Sequence, residues 1–600
     1  MCSSDLSLRL RRAFIDAATP GYLGTLLVLT AALLAAELLA ASAAHLLLPG
    51  LLVLGVLALV PASDLAIALL NRFVTVVVTP EVLPQLEWPS GIPTEYRTMV
   101  VVPTMLTGTA DVEEQVERLE VHFLANADGD VRFALVSDWE DSITEHASSD
   151  DDILTAARGG IARLNRIYGP ATDGGDRFFV FHRRRLWSAS EGTWIGWERK
   201  RGKLHEINRL LRGATDTTFL SENAEAPSAP LGVRYVVTLD TDTRLPIDAV
   251  KRLAGAMAHP LNGPRVDAAT RQVVEGYAIL QPRVTSPLPG RAGSIFQRLS
   301  SGASGIDPYS SAVSDVHQDL FGEGCYSGKG IYDIDAFETA LAGRVPENSL
   351  LSHDLFEGLF ARAGLVTDVE LFESAPSDYL TGSSRQHRWA RGDWQLLPFI
   401  MRERFSPVGR WKMLDNLRRT LSMPTAFLAL LGGWIWPGSS PVQWTAFILA
   451  AVAIPPLLPA LAGVWPIAPG SSKRSHFRAV GRDFLSACAH MGLTLTMIAH
   501  QAWLMSDAIA RTLVRLFVTR RRLLQWQTST VAASRIPSTL KGYYERMAGG
   551  FLLAVIAALI VWQVATFVRQ LRKSPDHVIH ETPPGSALGA VPERDRKSVV

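Results

Sequence analysis

Val233-Arg-Tyr-Val-Val-Thr-Leu-Asp-Thr-Asp242 decides the fold. Val233–Leu239 is rich in β-branched and aromatic side chains, as a buried strand is, and Asp240-Thr241-Asp242 ends it in a turn. Working outward, the same pattern recurs at Thr98–Val102, ended by Pro103-Thr104, and at Arg132–Val136, ended by Ser137-Asp138. Arg177–Phe181 and Gly276–Leu280 complete the set. Glu113–Ala125, Ile153–Ile167 and Lys203–Leu211 carry helical periodicity between the strand runs. Strands alternating with helices predict an α/β fold, a largely parallel sheet with helices on both faces. In such sheets ligands sit beyond the carboxyl ends of the strands. Pro103, Thr104, Asp138 and Asp240 all fall at predicted strand ends and so converge on one crevice.

This block, 72–419, lies between apolar ends. From Tyr22 to Leu48 the only formal charge is Glu37, and from Leu51 to Leu70 it is Asp64. Each run is long enough for a bilayer-spanning helix of about 20 residues, and Pro49-Gly50 reads as the turn of a hairpin. A cleaved signal peptide is disfavoured, because the first run is too long and a second follows at once. Leu421–Trp436 and Val442–Trp465 read as another hairpin turned at 437–441, and Phe551–Val568 as a further span. Arg9, Arg11, Arg12, Arg72, Arg418, Arg419, Lys473, Arg474, Arg478 and Arg482 flank these spans, while the turns carry no Lys or Arg. That bias predicts a multi-pass protein of a lipid bilayer with the 72–419 block in the cytoplasm. Phe484–Trp526 starts apolar and is then interrupted by Arg511, Arg515, Arg520, Arg521 and Arg522. It reads as an amphipathic segment on the cytoplasmic membrane face, with an ordinary span as the alternative. The expected units are a basic segment and hairpin at 1–71, the soluble block at 72–419, transmembrane or interfacial helices at 420–570, and a polar tail at 571–600. That tail reads as disordered and as stopping short of a further C-terminal region.

Composition excludes several classes. The 600 residues are 48% hydrophobic, too apolar for a disordered chain. Fifty-nine basic and 58 acidic residues leave a net charge of +1, so nothing global points to nucleic acid. Cys2, Cys325 and Cys488 are too far apart for a zinc knuckle or a disulfide framework.

Four stretches can carry chemistry. Asp240 and Asp242, spaced i, i+2 on a turn, can hold Mg²⁺ or Mn²⁺ with positions open for a diphosphate; the plainer alternative is an Asp-rich turn that starts a helix near Ile247. Trp197-Glu-Arg-Lys-Arg-Gly-Lys203 surrounds a helix-opening Gly with cations, and a helix N-terminus plus Lys203 suits a phosphate; a solvated basic face would look the same. Ser352-His353-Asp354 precedes a helix face of Leu355, Phe356, Leu359 and Phe360, with Ser352 as N-cap and Gly364 as C-cap. Asp354 is then either a first-turn carboxylate or a general base for an attacking hydroxyl. Arg385-Gln386-His387-Arg388-Trp389 offers an aromatic face for a sugar and a guanidinium for a diphosphate, or else a basic helix on the membrane surface.

The order Asp138, Lys203, Asp240/Asp242, Asp354, Arg388-Trp389 between membrane hairpins resembles the processive family-2-type glycosyltransferases, such as the cellulose and hyaluronan synthases. Trp197–Glu206, Thr238–Pro246 and Phe321–Asp333 narrow the resemblance to the glucosyltransferase region of the cyclic β-1,2-glucan synthase family, over about Arg97 to Gln525. The resemblance implies a GT-A fold, UDP-glucose as donor, Mg²⁺ or Mn²⁺, and growth of a β-1,2-glucan carried on the enzyme, in the bacterial inner membrane. It also implies roles. Pro103, Thr104, Asp138, Lys203 and Asp240 would bind the nucleotide sugar, and Asp240 with Asp242 the metal. Asp354 would be the base, and Arg385, Gln386, Arg388 and Trp389 would face the acceptor and diphosphate. The chain departs from the family's QxxRW box at its first position, which is Arg385. Full-length members also carry a C-terminal glycoside-phosphorylase-like region. The competing readings are a polysaccharide synthase of different linkage or sugar, a non-catalytic scaffold with a decayed transferase domain, and a transporter. The intact carboxylates argue against decay, and polar residues outside the spans argue against transport.

Overall fold

Two apolar helices, α1 (Ala18–Ala43) and α2 (Leu48–Val77), precede an eight-stranded sheet. The computed structural model describes residues 15–78, 80, 82–221, 227–287, 290, 293–301, 315–464, 472–525 and 539–573. Arg9, Arg11, Arg12, Cys2, Trp465, Trp526 and all but the first three residues of the expected tail at 571–600 lie outside the described residues.

The strands are β1 (Thr98–Leu106), β2 (Val131–Trp139), β3 (Phe178–His182), β4 (Tyr235–Thr238), β5 (Thr243–Arg244), β6 (Ile279–Thr285), β7 (Gly330–Asp333) and β8 (Ala363–Glu373). They lie in the order β3-β2-β1-β4-β7-β6-β8-β5. The pairs β1–β2, β2–β3, β1–β4 and β6–β8 are parallel. β7 runs antiparallel between β4 and β6, and β5 antiparallel to β8. The sheet is therefore mixed, with the expected parallel arrangement at β1–β4 and an antiparallel strand inserted beside it. This is the GT-A layout.

β1 shows why the sheet has two cores. Val100 and Val102 pack on one side, with α3 (Thr109–Ala125), α4 (Asp150–Tyr168) and α6 (Ala249–Ala258); Met99 and Val101 pack on the other, with α5 (Arg199–Leu211) and α7 (Asp354–Phe360). Burying one such side chain contributes about 1.5–3 kcal/mol, so the two apolar layers dominate the stability.

Several boundaries differ from the sequence pattern. Pro103-Thr104 does not end β1, which runs on to Leu106. The Val101 carbonyl faces β4, accepting from Leu239, so by alternation Pro103 faces β4 as well. The β1–β4 ladder ends at Val101 opposite Thr238, so no bond is lost at the proline. β2 likewise continues through Asp138 to Trp139. Gly364 is not a helix cap. α7 ends at Phe360, and Gly364 sits in β8, where an added Cβ would lie 2.8 Å from the Tyr277 ring. Ser352 is not the N-cap either; His353 occupies that position without a side-chain bond.

The further helices that matter here are α8 (Tyr379–Gln395), α9 (Pro407–Ile435), α10 (Pro441–Ala462), α11 (Lys473–Thr496), α12 (Ile498–Leu513) and α13 (Ala548–Lys573). Among the described residues four helices are long and apolar enough to cross a membrane: α1, α2, α10 and α13 over Ala548–Gln570. The expected span at 421–436 is the apolar half of α9, whose polar half begins at Pro407 and carries the chain unbroken across 419/420. Pro49-Gly50 is not a turn. Pro49 occupies the first turn of α2, where its missing N–H costs nothing, and the chain reverses at residues 44–47. Polar groups inside this bundle are paired: Arg418 of α9 with Asp64 of α2, and Gln443 of α10 with Glu37 of α1 at 3.0 Å. Arg418, read as an orientation marker, is thus spent on an ion pair.

The described part of the segment expected at 484–526, residues 484–525, contains two α-helical pieces. The chain breaks at Met497, and α12 packs Met505 and Ala508 onto Ala390 of α8.

Candidate active site

A cavity of about 600 Å³ opens at the carboxyl ends of β1, β2 and β4. Pro103, Thr104, Asp138, Lys203, Asp240, Asp242, Asp354, Arg385, Gln386, Arg388 and Trp389 all line it. Every site residue expected from the sequence is therefore brought to one place, from positions up to 286 residues apart.

At the inner end of the cavity Asp138 is buried and gripped by Arg183, with Nε and Nη2 at 2.7 and 2.9 Å, while Lys203 lies 3.2 Å away. Burial alone would raise its pKa, but Arg183 and Lys203 hold it below the usual carboxylate range. Arg183 also binds Glu206 at 3.1 Å. Replacing Arg183 by Leu should strand two buried carboxylates and cost about 3–5 kcal/mol, read as a lowered thermal midpoint. An unchanged midpoint would show that the network is dispensable.

Lys203 is not at a helix N-terminus. α5 starts at Arg199, and Gly202 lies within its first turn, where a Cβ would collide with the Trp197 carbonyl oxygen. Lys203 Nζ donates to the Thr104 carbonyl at 2.6 Å, and burial pushes its pKa down to about 8. Lys200, one turn earlier, is the cation that reaches the aspartate pair: its Nζ is 2.5 Å from Asp240 and donates to the Gly328 carbonyl at 2.8 Å.

Asp240 also pairs with Lys329 at 2.9 Å, and the two lysines hold its carboxyl far below the usual range against the opposing effect of burial. Asp242 has its pKa raised, first by burial and then by the neighbouring charges of Glu373 and Asp240; Arg385 lies 3.3 Å from it. Glu373, at the end of β8, takes both Lys329 and Arg385 at 2.8 Å. The sequence reading missed Lys329 and Glu373. No local spacing marks them, although Lys329 falls inside the Phe321–Asp333 stretch. Oxygen donors crowded until one carboxyl resists ionising suit a hard divalent cation, so the residues fit Mg²⁺ or Mn²⁺. Asp242 is the better ligand, since Asp240 already serves two ammonium groups.

Asp354 opens α7, half-buried, beside His353 and Glu357. His353 Nδ1 lies 2.9 Å from Glu357 and 3.5 Å from Asp354. Burial works against a charged His353, but the two carboxylates outweigh it and raise its pKa. Gly328, at φ +81°, backs Asp354: an added Cβ would sit 2.7 Å from Asp354 Oδ1. Gly328→Ala should therefore push Asp354 aside. Because a misplacement of about 1 Å can cost about 10²-fold in rate, transfer should fall by up to that factor with donor KM unchanged. Steady-state kinetics check this, and a wild-type rate would refute it.

α8 carries Arg385, Arg388 and Trp389 on one face, as i, i+3 and i+4 positions must be. Asp378 caps the helix through the Thr381 N–H at 3.0 Å. Arg385 lies over the Trp389 ring at 5.6 Å. Burial first, and then Arg385, push the Arg388 pKa down to about 10. Asn416, Arg419 and Met423 of α9 and Gln501 and Met505 of α12 complete the wall toward the apolar helices. These last residues carry no sequence signal, because they join the site only through helix packing.

A carboxylate-lined cavity therefore opens at the strand ends of the mixed sheet, beside helices long and apolar enough to cross a membrane. More particularly, the chain is similar to part of a cyclic β-1,2-glucan synthase. It is 47% identical over 502 residues to "Cyclic beta-(1,2)-glucan synthase NdvB" of Rhizobium meliloti, which covers 83% of this chain and 18% of that protein. It is 26% identical over 284 residues to "Glucans biosynthesis glucosyltransferase H" of Bradyrhizobium diazoefficiens, covering 41% of this chain and 35% of that one. The chain thus spans about a fifth and about a third of these relatives' lengths. Among solved structures, a mannosyltransferase from Pyrobaculum calidifontis, in complex with GDP-Man and Mn²⁺, aligns at a TM-score of 0.38 and 15% identity, over 78% of this chain and 99% of that one. No family model matches the chain.

Proposed function

We propose that the chain is a membrane-embedded, inverting glucosyltransferase that uses UDP-glucose to extend a β-1,2-glucan, the 72–419 unit carrying the chemistry on the cytoplasmic side of a bacterial inner membrane. One observation carries the reading: Asp354 and the Asp240/Asp242 pair open into the same cavity, bridged by Lys200, which holds Asp240 and the Gly328 carbonyl behind Asp354. A base and a diphosphate site on one cavity suit a single displacement.

In that displacement Asp354 takes the proton of the acceptor 2-hydroxyl. The oxygen forms a bond to the anomeric carbon of glucose as the bond to the diphosphate breaks on the opposite face, and UDP leaves with the electron pair. Lys200, Lys329 and Arg388 supply positive charge where the leaving group develops its own. Mg²⁺ or Mn²⁺ on Asp242, with Asp240, would add charge stabilisation of the diphosphate. Asp138 and Lys203 shape the inner end of the nucleotide pocket with Pro103 and Thr104. Trp389 offers a stacking face to the growing glucan, beside Gln386.

Membranes containing the chain, supplied with labelled UDP-glucose and Mg²⁺ or Mn²⁺, test the reading. The expected product is a polymer whose linkage analysis returns 1,2-linked glucose. A different linkage, or transfer only from another sugar nucleotide, would replace this reading with that of another polysaccharide synthase.

A further inference from the structure

Glu373 belongs to none of the expected motifs, yet it is 8% exposed and holds two cations at once. Lys329 Nζ lies between Glu373 at 2.8 Å and Asp240 at 2.9 Å. Arg385 Nη2 lies between Glu373 at 2.8 Å and Asp242 at 3.3 Å. Glu373 therefore shares one nitrogen with each carboxylate of the aspartate pair. Arg385 stands where the family's box has Gln, and Glu373 supplies it with a counter-charge.

We propose that Glu373 is a positioning residue which shares Lys329 and Arg385 with Asp240 and Asp242, so that neither cation falls wholly to the aspartates and the pair stays available to a divalent cation. This rests on the cation reading of Asp240 and Asp242 given above. Without Glu373, both cations fall wholly to the two aspartates, and the site loses one negative charge. Cation binding weakens on both counts. Removing Lys329 as well returns the charge balance and leaves Asp240 with Lys200 alone. A purely structural Glu373 behaves otherwise, because a second change in a loosened site does not repair it.

The test is Mn²⁺ binding by the full chain in detergent, with free Mn²⁺ read by electron paramagnetic resonance, alone and with UDP. Wild type should bind, and Asp242→Asn should not. Glu373→Gln, nearly isosteric, should bind about tenfold more weakly. Lys329→Met should bind at least as tightly as wild type, and the double variant should return to within about threefold of it. Glu373→Gln binding within about twofold of wild type, or a double variant no better than Glu373→Gln, overturns the proposal. A wild-type chain with no Mn²⁺ that Asp242→Asn removes overturns instead the cation reading on which it rests.

Discussion

Asp242→Asn should reduce glycosyl transfer by at least about 10²–10³-fold while the protein stays folded. Asp242 is the carboxylate of the pair that the lysines leave free: Lys200 and Lys329 both sit on Asp240, and Asp242 meets Arg385. Removing its charge weakens the hold on a divalent cation and the compensation of the departing diphosphate together. The stability sign runs the other way. A carboxyl whose folded pKa is raised above its unfolded value costs stability at neutral pH; the cost builds as pH rises from the unfolded pKa to the folded one and is fully present above it. The Asn variant removes the cost, so its thermal midpoint should equal or exceed that of wild type. Loss of transfer with an undiminished midpoint separates this role from a structural one. EDTA should mimic the variant and added Mn²⁺ should reverse EDTA; full turnover in EDTA would refute the assignment.

Asp354→Asn should lower the transfer rate by about 10²–10⁴-fold, the usual cost of losing a general base, with UDP-glucose affinity unchanged. The side chain is half-buried at the cavity wall, backed by Gly328 and flanked by His353 and Glu357. If Asp354 served only as a first-turn carboxylate of α7, the same change would cost about 0.3–1 kcal/mol of stability and leave the rate alone. Rate, donor affinity and thermal midpoint measured on one preparation distinguish the two outcomes.

Much of the architecture was legible because it depends on local pattern. Short β-branched runs near turn residues favour buried strands, and their alternation with amphipathic helices leaves few sheets to build. That reasoning placed Pro103, Asp138 and Asp240 at one end of the sheet. The apolar runs around Glu37 and Asp64 were legible for a similar reason, since about 20 uncharged residues have few homes but a membrane. Errors arose where one residue type serves two geometries. Gly364 suits a helix cap and a close strand crossing equally, and the Tyr277 ring decides for the strand. Pro49 suits a turn and a first helical turn equally, and α2 takes it.

By itself, then, the sequence determined the class of sheet, the apolar helices around it, and the residue types that meet at the strand ends. Only the tertiary structure decided which charges oppose which. Lys200 rather than Lys203 reaches Asp240, because Lys203 is held by Asp138 and the Thr104 carbonyl. Lys329, just before β7, and Glu373, at the end of β8, enter the site because these strands pair with β4 and β6 across the sheet rather than along the chain. Met505 and Gln501 enter because α12 packs on α8. Periodicity reports which face of an element is apolar. Ion pairs, by contrast, depend on distances of about 3 Å between elements far apart in sequence, and only the packed cores set those distances.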